Sequence, residues 1–128
     1  MKKIVLLIAI ITFISCQNKE TQPNQEVIEV LHAKEFAAHI ENPDVQLIDV
    51  RMKSEFEQGH IKGAKHHHVY DKDFKEQVRY LDKEKPIYLY CKAGSRSEEA
   101  ALELKKMGFK KIYDLKGGIS SWEGEIEK

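Results

Sequence analysis

Short apolar runs alternate with amphipathic stretches along most of this chain, and this alternation constrains its fold more than any other feature of the sequence. The apolar runs have the length and the β-branched and aromatic residues of buried strands, and they lie at residues 27–31, 45–50, 87–90 and 111–115. An extended segment at 61–69 is a fifth candidate strand. Strands that alternate with helices build a parallel sheet with both faces covered. We therefore predict a single α/β domain over residues 27–128, with a five-stranded, mostly parallel sheet and helices on both faces.

The stretches between the strands have the apolar spacing of helices, at residues 32–40, 54–58, 71–81 and from 95 onward. In the last of these, Glu98 follows Ser95 by three residues, which is the pattern of a capping box, and Gly108 supplies the stop. We therefore predict that Ser95 caps this helix, which begins beside the loop after Cys91. A closing turn and short helix are predicted at 117–122.

The N-terminal segment has the pattern of an export signal. Lys2 and Lys3 precede an apolar run at residues 4–14 that ends at Ser15 and Cys16. The run covers only about half of the hydrocarbon thickness of a bilayer, which disfavours a transmembrane helix. A small residue before a cysteine resembles a bacterial lipobox, in which the signal is removed and the cysteine is acylated. We expect a signal peptide at 1–15, a lipidated Cys16, a flexible tether at 16–26 and a place in the cell envelope. Ordinary secretion with a free Cys16 is the alternative.

Charge and cysteine content narrow the function. Lys and Arg together number 21, as do Asp and Glu, so the chain lacks the basic excess of a nucleic-acid-binding protein. If Cys16 is lipidated, Cys91 is the one free thiol, and the monomer has no second thiol for a disulfide. A lone thiol in an exported protein favours a chemical role. The alternative is that Cys91 is a small buried hydrophobic residue.

The position of Cys91 favours the chemical role. The strand at 87–90 runs directly into it, and a short loop then leads to the start of a helix. Backbone N–H groups converge at such a point and stabilise an anion. A thiolate there also gains from the nearby Lys92 and Arg96, so its pKa is expected to fall below the free value of about 8.5. Gly94 permits a tight loop. We predict that Cys91 is a nucleophile near neutral pH.

The segment CKAGSRS at residues 91–97 resembles the active-site loop of the rhodanese family. Three further segments resemble family motifs in the expected order: LIDVR at 47–51, SEFEQGHIKGA at 54–64 and GGISSW at 117–122. The resemblance implies a sulfurtransferase in which Cys91 takes up a sulfane sulfur as a persulfide and passes it to a nucleophilic acceptor. The implied anion-binding loop consists of Lys92, Ala93, Gly94, Ser95 and Arg96. The implied partners are small sulfur-containing anions or a persulfide-carrying protein, and no metal or organic cofactor is implied.

Two other functions are compatible with this resemblance. Phosphatases and arsenate reductases of the related cell-cycle phosphatase group have five residues between the loop Cys and Arg and usually a His before the Cys. Here four residues separate Cys91 from Arg96, and Tyr90 precedes. The other alternative is a non-catalytic rhodanese-like module that binds a partner at the membrane. The intact Cys91 and its flanking cations argue against such a module.

Residues at the end of the second strand are supporting candidates. Asp49 is expected at the same sheet edge as Cys91, where it could pair with Arg96. Alternatively, Asp49 caps the following turn and orders Arg51. Arg51 could attract an anionic donor or could be a solvated surface residue.

Three consecutive histidines, His66, His67 and His68, suggest a metal site at first. Consecutive strand residues point to alternating faces, so at most His66 and His68 could share one ion. Cys, Asp and Glu with ligand spacing are missing nearby in the sequence. We therefore predict no metal.

Overall fold

The central sheet is parallel throughout the part of the chain that the computed structural model describes, residues 26–128. The strands are β1 (Ile28–Leu31), β2 (Gln46–Asp49), β3 (His60–Ile61), β4 (Lys65–His66), β5 (Ile87–Tyr90), β6 (Ile112–Leu115) and β7 (Ile126–Glu127). Five of the described strands form the sheet in the order β1-β6-β5-β2-β4, and neighbours run parallel. The short strands β3 and β7 form a separate antiparallel pair. The predicted five-stranded α/β architecture is confirmed.

Helices cover both faces of this sheet. They are α1 (Ala33–His39), α2 (Lys53–Gln58), α3 (Phe74–Gln77), α4 (Ser95–Lys106) and a 3-10 helix (Gly118–Ser121). On one face, Phe36 of α1 packs with Leu47 and Tyr90. On the other face, Leu104 of α4 packs with Leu89. Because both faces are covered, β5 is buried at every position, which explains its unbroken run of apolar and aromatic residues.

The register of the sheet brings two strand ends together. Asp49, the last residue of β2, lies beside Tyr90, the last residue of β5. The amide of Val50 then donates a hydrogen bond to the carbonyl of Tyr90 at 3.1 Å. Parallel strands present their carboxyl ends at one edge of the sheet. The segments that follow Asp49 and Tyr90 therefore meet at this edge, as the sequence predicted.

The prediction that residues 61–69 form one strand was wrong. The structure divides this region into β3 and β4, which belong to different sheets. Gly63 lies between them with a φ of +85°, a left-handed conformation that turns the chain. β3 pairs with β7, whereas β4 pairs with β2.

Two helix predictions also need correction. The helix predicted at 71–81 is a single turn, α3, although Val78 and Leu81 beyond it are buried. The side chains of Asp71 and Asp73 accept hydrogen bonds from Gln77, and such short polar side chains favour turns over helix. Ser95 does not cap α4. The helix begins at Ser95, and the capping position belongs to Gly94, whose φ of +119° makes the turn into the helix.

The predicted signal peptide at 1–15 and the lipidation site Cys16 lie outside the described residues, as does nearly all of the tether at 16–26. Within residues 26–128, helices fall short of the length and apolarity needed to cross a membrane.

Candidate active site

Cys91 lies immediately after β5, with its side chain enclosed by the loop that follows. The residue is 1% exposed. The amide of Gly94 donates a hydrogen bond to the Cys91 sulfur at 3.0 Å, and the Ser97 hydroxyl oxygen lies 3.4 Å from the same sulfur. The loop therefore folds back over the thiol, and the left-handed conformation of Gly94 allows it to do so.

Hydrogen bonds set the acidity of this thiol. Burial raises the pKa of Cys91, but the hydrogen bond with the Ser97 hydroxyl and those with the amides of Ser97, Gly94 and Ala93 outweigh burial, so the pKa lies below its ordinary value. The predicted direction is confirmed. These hydrogen bonds are the leading causes of the lowered Cys91 pKa. The sequence analysis had also expected the charges of Lys92 and Arg96 to lower it. Lys92 itself is exposed at the rim of the loop.

Arg96 is held by a carboxylate that the sequence did not assign to the site. Its guanidinium donates two hydrogen bonds to Glu55 of α2, at 2.6 and 2.9 Å. These bonds lower the pKa of Glu55 to about 2. Of the two interpretations of Asp49, the one in which it pairs with Arg96 is therefore wrong. Glu55 lies on α2, which follows β2, and Arg96 lies in α4, which follows β5, so only the fold brings the two side chains together.

Asp49 pairs with Arg51 instead. The two charges are 2.7 Å apart, and the Asp49 side chain also accepts a hydrogen bond from the Arg51 amide at 2.9 Å. Arg51 in turn donates to the carbonyl of Gly59 at 2.7 Å. The alternative in which Asp49 orders the turn and Arg51 is confirmed. Arg51 is buried, so its description as a solvated surface arginine is wrong.

The 3-10 helix is hydrogen-bonded to the start of the loop after Cys91. The amides of Ile119 and Ser120 donate to the carbonyls of Cys91 and Lys92, at 2.9 and 3.1 Å. Gly118 has a φ of +59°, and a Cβ atom there would lie 2.4 Å from the Lys92 carbonyl oxygen. Such an approach is possible only for glycine. The GGISSW segment therefore holds the start of the loop in place.

A small cleft of about 240 Å³ opens beside the loop. It is lined by Arg51, Glu55, Gln58, Gly59, Lys92, Ile119 and Ser120. Two of the predicted cationic residues, Arg51 and Lys92, thus border the same space. The Glu55 carboxylate borders it too, and that carboxylate is paired with Arg96.

The three histidines make separate contacts. The His66 ring contacts the carbonyl of Arg51 at 2.6 Å, and the His68 ring contacts Asp71 at 3.1 Å. The ring of His67 lies between Gln77 and Tyr80. Across residues 26–128, His, Cys, Asp and Glu do not form a group of three or more that could hold a metal ion.

Comparison with known proteins identifies the family. The sequence profile of the Rhodanese-like domain family matches residues 32–125, and the chain belongs to this family. It is 37% identical over 127 residues to Uncharacterized protein YqhL of Bacillus subtilis, and the aligned region covers 99% of this chain and 98% of that protein. It is 28% identical over 116 residues to Putative sulfur carrier protein YrkF of Bacillus subtilis, which covers 90% of this chain and 62% of that protein.

A solved structure has the same fold. The solution NMR structure of the rhodanese-like domain from the Anabaena protein Alr3790 superimposes with a TM-score of 0.69 at 28% identity, and the match covers 80% of this chain and 79% of that one. The family predicted from the CKAGSRS segment and its companion motifs is therefore confirmed, together with its fold.

The sequence analysis did not predict two residues of the site, Glu55 and Ser97. Glu55 lies within a segment that carried the family resemblance, but its partner Arg96 is 41 residues away. Ser97 is the last residue of the CKAGSRS segment and is fully buried against the thiol. The position of Ser97 in the loop segment could have indicated a contact with Cys91. Nothing in the sequence indicated that Glu55 pairs with Arg96.

Proposed function

We propose that this chain is a sulfurtransferase that carries sulfane sulfur as a persulfide on Cys91. The observation that carries the proposal is the set of hydrogen bonds aimed at the Cys91 sulfur, above all the one from the Gly94 amide at 3.0 Å. Donors in this arrangement favour the thiolate, which is the nucleophilic form of cysteine. The Bacillus subtilis relative named a putative sulfur carrier protein supports a role in sulfur transfer in general.

The transfer divides into two substitutions at sulfur. With thiosulfate as donor, the Cys91 thiolate attacks the sulfane sulfur, the S–S bond of the donor breaks, and sulfite leaves with the bonding electron pair. The product is a persulfide anion on Cys91, which the loop amides stabilise as they do the thiolate. A nucleophilic acceptor then attacks the outer sulfur and returns the Cys91 thiolate. Splitting one transfer into two steps in this way is covalent catalysis.

The cleft beside the loop supports an anionic donor. Arg51 and Lys92 border it, and Arg51 is fixed by its ion pair with Asp49. Because Asp49 offsets the Arg51 charge, the exposed Lys92 ammonium is the group that would attract a sulfonate-like anion to this cleft. Polysulfide and a protein persulfide present the same reacting sulfur, so the same loop serves them.

The position of Arg96 argues against a phosphatase. An enzyme that cradles a tetrahedral oxyanion needs the loop arginine turned toward that anion. Both terminal nitrogens of the Arg96 guanidinium instead bond Glu55. The shorter loop, with four residues between Cys91 and Arg96, agrees with this interpretation.

The lowered pKa of Cys91 also argues against a purely non-catalytic binding module. A module that only binds a partner gains nothing from a buried thiol whose pKa is lowered by hydrogen bonds with Ser97, Gly94 and Ala93. A slowly reacting Cys91 would favour the module instead.

The test is sulfur loading of the full-length chain carrying Cys16→Ser, which removes the second thiol. After incubation with thiosulfate, intact mass should show the gain of one sulfur atom, and cyanide should remove it as thiocyanate. The same chain with Cys91→Ser should gain nothing. If Cys91 stays unmodified with both thiosulfate and polysulfide, the sulfurtransferase proposal is wrong.

We also propose that Cys16 is acylated and anchors the protein in a bacterial cell envelope. The proposal is supported by Lys2 and Lys3, the apolar run at 4–14 and the Ser15-Cys16 junction. The test is expression of the chain in bacteria supplied with a clickable fatty acid. Labelling that disappears with Cys16→Ser supports acylation, whereas an unlabelled chain would contradict it.

A further inference from the structure

A surface cavity of about 470 Å³ is lined by residues of β1, β6 and α4. Its apolar lining includes Ile28 and Val30 of β1 and Leu102 of α4. Val30 is 56% exposed and Leu102 is 48% exposed, so large apolar side chains face solvent here. The residues that line it differ from those that line the cleft beside Cys91. Gly94 borders the cavity, so a ligand bound there would lie against the loop after Cys91.

A buried carboxyl group forms part of the lining of this cavity. Asp114 of β6 is 5% exposed, and its Oδ1 atom has no hydrogen-bond partner within residues 26–128. Glu98 of α4 and Lys116 after β6 are exposed residues that line the same cavity. In the described part of the chain, the ion pairs include neither carboxylate. A buried polar atom that lacks a partner within the fold is a candidate to receive one from a ligand.

The outer edge of β1 can pair with a further strand. β1 is the last strand of the five-stranded sheet, and within residues 26–128 its one neighbour in that sheet is β6. The carbonyl of Leu31 accepts a hydrogen bond from the amide of Lys116 on the β6 side, at 2.8 Å. Because backbone groups alternate along a strand, those of Ile28 and Val30 point away from β6. Such an edge accepts an extended segment of another polypeptide.

We propose that this cavity binds an arginine side chain from an extended segment of a partner protein that pairs with β1. Asp114 and Glu98 supply the negative charge that the cation needs. Val30 and Leu102 contact the apolar stem of the arginine. A guanidinium suits the site better than an ammonium because it is more weakly hydrated and presents its donors in a planar fork. The proposal goes beyond sulfur transfer and does not depend on it.

The arginine comes from a different protein. This sequence has three arginines, and none of them lies in residues 1–25. Arg51 and Arg96 are held in ion pairs at the sheet edge, and Arg79 lies in a turn. Because the proposed ligand is an extended segment, a second copy of this chain does not supply it.

The experiment follows the backbone amide resonances of the full-length chain carrying Cys16→Ser while peptides are added at pH 7.5. Burial raises the pKa of Asp114 to about 6, so its carboxyl group is ionised at this pH. The main probe is the acetylated and amidated peptide Thr-Val-Arg-Val-Thr. In the comparison peptides, lysine replaces arginine, or citrulline replaces it and keeps its shape without its charge. The arginine peptide should bind about tenfold more tightly than the citrulline peptide and should shift the amides of β1 and Gly94.

Variants of the cavity test which residues bind the arginine. Asp114→Asn should weaken binding of the arginine peptide about tenfold and leave binding of the citrulline peptide unchanged. Glu98→Gln should weaken it only about threefold, because solvent screens an exposed charge. The matched control is Glu99→Gln, which removes an exposed carboxylate of the same helix outside the cavity and should bind as the parent does. If Asp114→Asn does not fold, the comparison of the peptides on the parent chain still tests the proposal.

Several results would overturn the proposal. These are equal binding of the arginine and citrulline peptides, no binding of either, or shifts confined to amides away from β1 and α4. Equal binding of the lysine peptide would overturn the choice of a guanidinium. N-ethylguanidinium alone should bind more weakly than the arginine peptide, and binding as tight as that of the peptide would overturn the pairing with β1. None of these results alters sulfur loading of Cys91, so this proposal and the proposed function fail separately.

Discussion

The Asp49–Arg51 pair and the Glu55–Arg96 pair lie at the same edge of the sheet but differ in sequence separation and in burial. Asp49 and Arg51 are two residues apart, and their side chains are 0% and 7% exposed. Glu55 and Arg96 are 41 residues apart and are each 20% exposed. The local pair fixes the turn after β2, whereas the distant pair ties α2 to the start of α4. Because it is buried, we expect the first pair to contribute more to the stability of the fold, whereas the second pair chiefly holds the loop after Cys91 in place.

The largest effect is expected from Asp49→Ala. The change leaves the Arg51 guanidinium buried without its counter-charge, which costs about 3–5 kcal/mol of unfolding free energy. Urea denaturation followed by circular dichroism measures this. The double change Asp49→Leu with Arg51→Met removes both charges and should recover much of the loss. A single variant that loses less than about 1 kcal/mol would contradict the importance of burial in the comparison.

Glu55→Gln should cost less stability, about 2 kcal/mol, because it removes one charge-assisted pair that is partly solvated. It should also slow sulfur loading of Cys91 about fivefold, since Arg96 no longer anchors the loop. The measurements are urea denaturation and time-resolved intact mass. Glu57→Gln, on the same helix but exposed, is the matched control and should alter neither property. Equal loss of loading in both variants would show that the Glu55–Arg96 pair does not hold the loop.

The contribution of the Glu55–Arg96 pair to the free energy of unfolding should depend on pH. Because Arg96 lowers the pKa of Glu55 from 4.5 to about 2, the pair stabilises the fold fully above about pH 4.5 and loses this contribution as the pH falls toward 2. The stability difference between the parent and Glu55→Gln should therefore be constant from pH 7 to pH 5 and should shrink steadily below pH 4.5. Urea midpoints at each pH measure this. A difference that is unchanged at pH 3 would mean that Glu55 is not held as a carboxylate by Arg96.

The smallest effect is expected for an exposed pair on α2. Lys53 and Glu57 are 3.7 Å apart, with side chains 78% and 62% exposed. Solvent screens such a pair, so Lys53→Ala should leave the urea midpoint unchanged within error. A measurable drop in the urea midpoint would mean that the exposure of an ion pair does not determine how much it contributes to stability.

Local patterns were enough to predict the strands that are buried on both faces of the sheet. The strands around 45–50 and 87–90 were predicted to within a residue or two because unbroken apolar runs are typical of strands buried on both faces. The strand break at Gly63 and the shortened helix α3 were missed. In both places a turn interrupts a stretch whose apolar residues are still buried. Residue types alone do not distinguish such an interrupted stretch from one continuous strand or helix.

The candidate site shows the same division. Cys91, the loop that follows it and the direction of its pKa shift could be predicted, because a strand, a tight loop and a helix start are consecutive in the sequence. The partner of Arg96 could not be predicted. Asp49, expected at the same sheet edge, was one candidate, but its pairing with Arg51 was an equally open alternative. The partner is Glu55 because Asp49 is already bound to Arg51.

The sequence by itself determined the family, the α/β architecture and the identity of the thiol, since each depends on the order of residues along a short stretch. The tertiary structure alone decided which charges pair and that Ser97 faces the sulfur. Those relations depend on how the segments that follow β2 and β5 come together at one edge of the sheet. They join residues distant in the chain, and the free energy that selects among such partners is the burial and hydrogen bonding of the whole domain.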